Sequence, residues 1–191
     1  MILTHIKTVL VDFDGTLIDS NGCWIEAYQL LCEQRKTQPS AKIINVFAEI
    51  TFDKWQDLIS EQLGKCDDEL LDCAKLTYAK RTPKEAVLSV VHSLPVGCKM
   101  SVITREPSEL VRNWLAHYNI CVFSEVFTSG DERKDSAYYS QPQLLLIDDN
   151  YKHCVAAKNA DATVIGVNDY HTEERKAQMR EICDLYIEDK R

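Results

Sequence analysis

The chain has 191 residues, with 30 acidic against 22 basic side chains and a formal charge of −8. Apolar residues make up 45% and charged residues 27%, the balance of an ordinary soluble globular protein able to bury one sizeable core. The acidic excess speaks against a general binder of nucleic acid or anionic membrane, and six Gly with five Pro exclude a low-complexity chain.

At the N-terminus, Thr4, His5 and Lys7 interrupt any apolar run, so no secretory signal is expected. Nowhere does the chain reach the roughly 18 consecutive apolar residues of a membrane span, and a cytoplasmic location is expected. The first predicted strand is residues 8–12, where continuous rather than alternating hydrophobicity marks burial on both faces. It runs into Asp12-Phe13-Asp14-Gly15-Thr16-Leu17. Two carboxylates at i and i+2 on a strand end repel each other and raise one pKa unless a cation lies close. The plain alternative is an exposed turn in which Asp and Gly only shape the backbone. Val9 to Val11 argue that this turn is central.

Residues 20–81 then read as helix throughout. Trp24, Tyr28 and Leu31 form one apolar stripe, and Ile43, Val46, Phe47 and Ile50 another. Trp55, Leu58, Ile59 and Leu63 form a third, which Gly64 stops as a C-terminal cap. Asp67, Asp68 and Glu69 open a last helix favourably for its dipole. The predicted domains are therefore 1–19 with 82–191, and an all-helical insert at 20–81.

After the insert, Pro83 sits near the start of a helix carrying Val87, Val90 and Val91. Strands are predicted at 100–104, 125–128, 144–148 and 163–167, with helices at 107–118 and 151–160. A charged helix follows His171, and residues 185–187 make a short edge strand. Alternating strands and helices predict an α/β fold, a Rossmann-like doubly wound parallel sheet. The eight cysteines show no C-x-x-C and the five histidines no paired spacing, so reduced thiols are expected rather than disulfides or zinc.

Ligands of open parallel sheets bind beyond the carboxyl ends of the strands. There the sequence offers Asp12 and Asp14, then Thr104-Arg105, then Arg133-Lys134 in a polar loop, then Asp148-Asp149-Asn150. Each is weak alone. Together they hold acids enough for a hard divalent ion and cations enough for a phosphate. In this order, Asp12-Phe-Asp-Gly-Thr-Leu, Thr104, Lys134 and Leu146-Ile-Asp-Asp149 resemble the four motifs of the haloacid dehalogenase (HAD) superfamily of phosphotransferases. The resemblance covers the whole chain, and the insert is similar to a C1-type cap. Within it the chain is similar to nucleotidase-like or phosphoglycolate-phosphatase-like members.

The resemblance implies that Asp12 attacks phosphorus to form an aspartyl-phosphate and that Asp14 serves as general acid and base. It implies Mg²⁺ held by Asp12, the Asp14 backbone carbonyl and Asp149, with Asp148 binding through water. Thr104 and Lys134 would hold the phosphoryl oxygens, with Gly15, Thr16 and Arg105 completing the substrate site. One departure stands out: only nine residues, 135–143, separate Lys134 from the next strand. That is short for a helix with its connections, so either the helix is cut to a turn or Arg133 shares the cationic role.

The expected function is Mg²⁺-dependent hydrolysis of a small phosphorylated metabolite, a nucleotide or sugar phosphate. One alternative is a polynucleotide 3′-end phosphatase, for which Lys36, Lys42 and Lys54 with Trp24 and Trp55 are the contacts on offer. Another is a non-catalytic protein that binds a phosphorylated ligand, which the intact Asp12/Asp14 pair disfavours. Asn21, Trp24 and Arg105 are specificity candidates, Trp24 being weighed against a place in the core of the insert. Nothing in the pattern indicates an oligomeric state.

Overall fold

The computed structural model of the chain describes residues 3–128 and 139–188. It separates into two compact units, Met1–Asp19 with Thr82–Arg191 and, between them, Ser20–Arg81. Strand β1, Thr8–Asp12, leads into the second unit, which holds four helices among its residues: α1 Cys23–Gln34, α2 Ala41–Val46, α3 Phe52–Leu63 and α4 Asp67–Tyr78. Back in the first unit follow α5 Glu85–His92, β2 Lys99–Thr104, α6 Ser108–His117, β3 Glu125–Thr128 and β4 Leu144–Asp148. The described chain ends with α7 Tyr151–Asn159, β5 Thr163–Val167, α8 Glu173–Ile182 and β6 Leu185–Ile187.

The six strands form one sheet in the order β3-β2-β1-β4-β5-β6, and every pairing is parallel. This is the α/β, Rossmann-like sheet that the alternation of apolar runs predicts. All five residues of β4 are buried, as are Val9 to Asp12 of β1, because a parallel sheet with helices on both faces leaves its central strands no solvent side. Around β4 and β5 the core packs Leu10, Leu146, Val164, Cys154, Ala157 and Met179. All eight cysteines are free thiols.

Strand order matters more for function than strand count. The chain leaves β1, builds β2 and β3 on one side, then returns to place β4 on the other side of β1. That reversal opens a crevice at the carboxyl ends of β1, β2 and β4. Asp12, Thr104 and Asp148 are the last residues of those three strands, so parallel pairing brings them to one edge. Asp12 lies opposite Ile103, and Val11 opposite Ile147.

The Ser20–Arg81 unit has its own core. Trp55 is fully buried, donates from Nε1 to the Ile43 carbonyl at 2.9 Å, and meets the rings of Tyr28, Phe47 and Phe52. Trp24 is buried too, against Phe52 and Tyr78. The Tyr28 hydroxyl donates to Gln62 at 2.5 Å and accepts from the Ser40 amide at 2.7 Å, tying α1 to α3 and to the start of α2. Gly64 ends α3 at a φ of 75°, where a side chain would be strained. Among the described residues, no helix is long and apolar enough to cross a membrane.

Pro83 lies two residues before the start of α5, near the helix start as expected. The helix begins at Glu85, and the preceding segment runs beside the turn after β1, with Ile18 bridged antiparallel to Pro83. Lys84 donates its amide to the Leu17 carbonyl at 2.8 Å. Proline, lacking an amide hydrogen, fits an extended edge of this kind without leaving a donor unmet.

Candidate active site

The turn after β1 is built on the Phe13 carbonyl, which accepts from the amides of Leu17 at 2.9 Å and Ile18 at 3.2 Å. Gly15 occupies the left-handed region at φ 77°, and it is buried. A Cβ there would lie 2.7 Å from Asp169 Oδ2 and 2.8 Å from Asp149 Oδ2, so glycine is required by conformation and by space. Thr16 is buried, and its hydroxyl donates to Asp149 Oδ1 at 2.9 Å. That bond orients the Asp149 carboxylate.

Ligand-capable oxygens of Asp12, Asp148 and Asp149 all lie within 4.8 Å of one another. The carboxylate of Asp14 is outside that cluster. Asp148 is fully buried and already engaged: Oδ1 accepts from the Asn150 amide at 2.7 Å, and its carboxylate meets His153 Nδ1 at 3.2 Å. Burial holds the Asp149 carboxyl well above its ordinary range, with Asp12, Asp148 and Asp169 pushing the same way and the Thr16 hydroxyl pulling back. An all-oxygen set of crowded carboxylates, two of them buried and Asp149 half-buried, fits a hard divalent cation such as Mg²⁺, which would offset that repulsion.

Thr104 is buried at the end of β2, and its Oγ1 accepts from the Glu106 amide at 3.0 Å. That bond uses a lone pair and leaves the O–H to donate. Arg105 is exposed and lines an open cleft together with Asp149. Lys134 and Arg133 lie outside the described residues.

Two residues that sequence reasoning passed over stand in the same place. Lys84 is buried, and its Nζ donates to the carbonyls of Gly15 at 2.5 Å and Asn168 at 3.0 Å and meets Asp169 Oδ1 at 3.3 Å. It therefore ties the turn after β1 to the loop after β5. Asp169 had a readable signal, because it follows a strand end by two residues. Lys84 had none beyond its place after Pro83, since lysines at helix starts are ordinarily solvated.

A family model of haloacid dehalogenase-like hydrolases matches residues 9–167. The chain belongs to that family. Its fold is similar to that of a candidate β-phosphoglucomutase from Thermotoga maritima, at 16% identity over 96% of this chain and 94% of that one, with a TM-score of 0.69. A candidate HAD-hydrolase, YfnB of Bacillus subtilis, solved with magnesium, is 16% identical over 95% and 94% at a TM-score of 0.63. A predicted phosphoglycolate phosphatase from Haemophilus somnus is 20% identical over 97% and 95% at a TM-score of 0.62. At such identities the likeness is one of fold. No curated protein matches the chain. The carboxylate cluster lies at the carboxyl ends of β1 and β4, within the residues that the family model matches.

Proposed function

We propose that this HAD-like hydrolase is a Mg²⁺-dependent phosphomonoesterase acting on a small phosphorylated metabolite. The observation that carries the reading is the convergence of Asp12, Asp148 and Asp149, from the ends of adjacent strands β1 and β4, within 4.8 Å. Asp12 attacks the phosphorus atom, the ester oxygen departs, and an aspartyl-phosphate forms. Asp14 gives the leaving oxygen its proton, then takes one from the water that opens the acyl phosphate and regenerates Asp12. The Thr104 hydroxyl donates to a phosphoryl oxygen, and Lys134 supplies positive charge to the same group.

Asp12, the Asp14 carbonyl and Asp149 would hold Mg²⁺, with Asp148 acting from behind through its bonds to Asn150 and His153. When bound, the ion neutralises phosphoryl charge and keeps the nucleophile ionised. Magnesium in the B. subtilis structure and the names of the Thermotoga and Haemophilus proteins support the choice of ion and of phosphate esters. The Ser20–Arg81 unit would serve as a cap that closes over substrate.

The polynucleotide reading loses ground, because Trp24 and Trp55, its stacking candidates, are core residues of the helical unit. The test is hydrolysis of p-nitrophenyl phosphate by the purified chain with and without Mg²⁺. Activity should vanish in excess chelator and fall by about 10³-fold or more in Asp12→Asn. Turnover that survives either treatment would sink the mechanism. A panel of phosphate esters then narrows the substrate.

A further inference from the structure

Two thiols with no part in phosphoryl transfer meet near the carboxyl ends of β4 and β5. Cys154 lies on α7 and is fully buried, whereas Cys183 directly follows α8 and is half-buried. The sheet register sets Asp148 beside Gly166 on these adjacent strands. Cys154 Sγ lies against the first, 3.6 Å from the Asp148 carbonyl oxygen, and Cys183 Sγ against the second. A Cβ on Gly166 would stand 2.8 Å from the Cys183 sulfur, so the bare strand backbone is what leaves that thiol its place. Held over neighbouring strands, the two cysteine side chains hydrogen-bond each other.

Their surroundings divide two roles between them. The Cys154 S–H has the Cys183 sulfur and the Asp148 carbonyl as its acceptors. Its bond to Cys183 holds that thiol below the ordinary range, the Gly166 amide and Lys158 acting the same way while burial and Asp184 oppose them. Cys183 is thus the sulfur with thiolate character and a path to solvent, and Cys154 is a second thiol already seated against it. Cys121 offers the contrast, an exposed thiol beside the Asn119 carbonyl at 3.7 Å. Exposure alone would make Cys121 react before Cys183; thiolate character reverses that order.

We propose that Cys183 and Cys154 form an oxidisable dithiol, a modification site that hydrogen peroxide closes into a reversible disulfide. The Cys183 sulfur attacks one peroxide oxygen, the O–O bond breaks, and a sulfenic acid forms on Cys183. The departing hydroxide takes up the proton that Cys183 released and leaves as water. The Cys154 sulfur then attacks the sulfenic sulfur; the S–S bond forms, the S–O bond breaks, and the Cys154 proton leaves with the hydroxide as a second water. One peroxide is reduced by two electrons, one from each sulfur. Closing the bond consumes the S–H that faces the Asp148 carbonyl, and a thiol reductant restores it by exchange.

The test treats the full, reduced chain with one equivalent of hydrogen peroxide, blocks the remaining thiols and maps the peptides by mass spectrometry. Thiols titrated in denaturant should fall from eight to six, a peptide pair joined through Cys154 and Cys183 should appear, and dithiothreitol should reverse both changes. Absence of that pair, or a product joined mainly through other cysteines, overturns the proposal. Cys183→Ser should slow the oxidation about tenfold or more, whereas Cys154→Ser, which keeps a donor beside Cys183, should stop at a sulfenic acid that dimedone traps on Cys183. Oxidation of Cys183→Ser at the unsubstituted rate counts against the assignment. The unsubstituted chain decides even if a variant does not fold: limiting iodoacetamide should label Cys183 about tenfold faster than Cys121, and labelling in order of exposure overturns the proposal.

Discussion

Lys84 reaches the turn after β1 from a segment that holds none of the four motifs. Its ammonium serves two carbonyls and Asp169 at once, beside an Asp149 that burial and three neighbouring carboxylates already disfavour as an anion. Lys84→Met should remove about 3 kcal/mol of stability by leaving Asp169 without its cation in a partly buried place, read by urea denaturation at neutral pH. Adding Asp169→Asn to that variant should restore part of the loss, because the uncompensated charge is then gone; no recovery would mean the ion pair is not the cause. Gly15 makes the opposite kind of demand, for the absence of atoms. Gly15→Ala forces a Cβ to within 2.8 Å of the Asp149 carboxylate, from a φ of 77° that alanine resists. Displacing Asp149 in this way should weaken Mg²⁺ binding by about tenfold to a hundredfold, measured as the metal concentration that half-saturates the gain in thermal stability. Unchanged affinity would show that Asp149 does not hold the ion.

At the scale of elements, the strands were legible and the segment before α5 was not. β1, β3, β4, β5 and β6 begin and end where their apolar runs do, and β2 starts one residue early at Lys99. Strands buried on both faces leave an uninterrupted apolar signal, and the sheet interior tolerates little else. The segment before α5 carries no such signal. Its conformation comes from pairing with the turn after β1, a contact far along the chain that no local pattern encodes. Thr16 is a similar case, since its hydroxyl is claimed by Asp149, 133 positions away. Three helices of the Ser20–Arg81 unit follow their amphipathic stripes, while the stripe from Ile43 to Ile50 runs past α2, which ends at Val46; Trp55 shows what the unit packs around. Trp55→Ala should cost about 3–5 kcal/mol through the cavity left among Tyr28, Phe47 and Phe52. Hydrogen exchange should then show protection falling across α1 to α4 while β1 and β4 keep theirs; uniform loss through both would contradict a self-contained core.

For the whole molecule, the carboxylate cluster links stability, pH and metal. The Asp149 carboxyl is raised in the folded chain, first by burial and then by Asp12. Between the ordinary value and the raised one, the folded chain keeps a proton that the unfolded chain has released. Its contribution to stability therefore falls as pH rises across that interval. Mg²⁺ must displace the same proton, so the stabilisation it brings should grow over the same range. The gain in Tm on adding Mg²⁺ is expected to be larger at about pH 7.5 than at about pH 5, and equal gains would argue against Asp149 as a ligand.

By itself the sequence determined the α/β class, the helical character of residues 20–81 and the ordered motif set from Asp12 to Asp149, because each is written in local periodicity or in short fixed spacings. Only the tertiary structure decided the strand order β3-β2-β1-β4-β5-β6, which sets Asp12 beside Asp148 and Asp149. It alone brought Lys84 and Asp169 to Gly15. The physical reason is common to both. Side chains that meet through crossovers of tens of residues interact through space, and neither hydrophobic period nor turn chemistry carries information over that span.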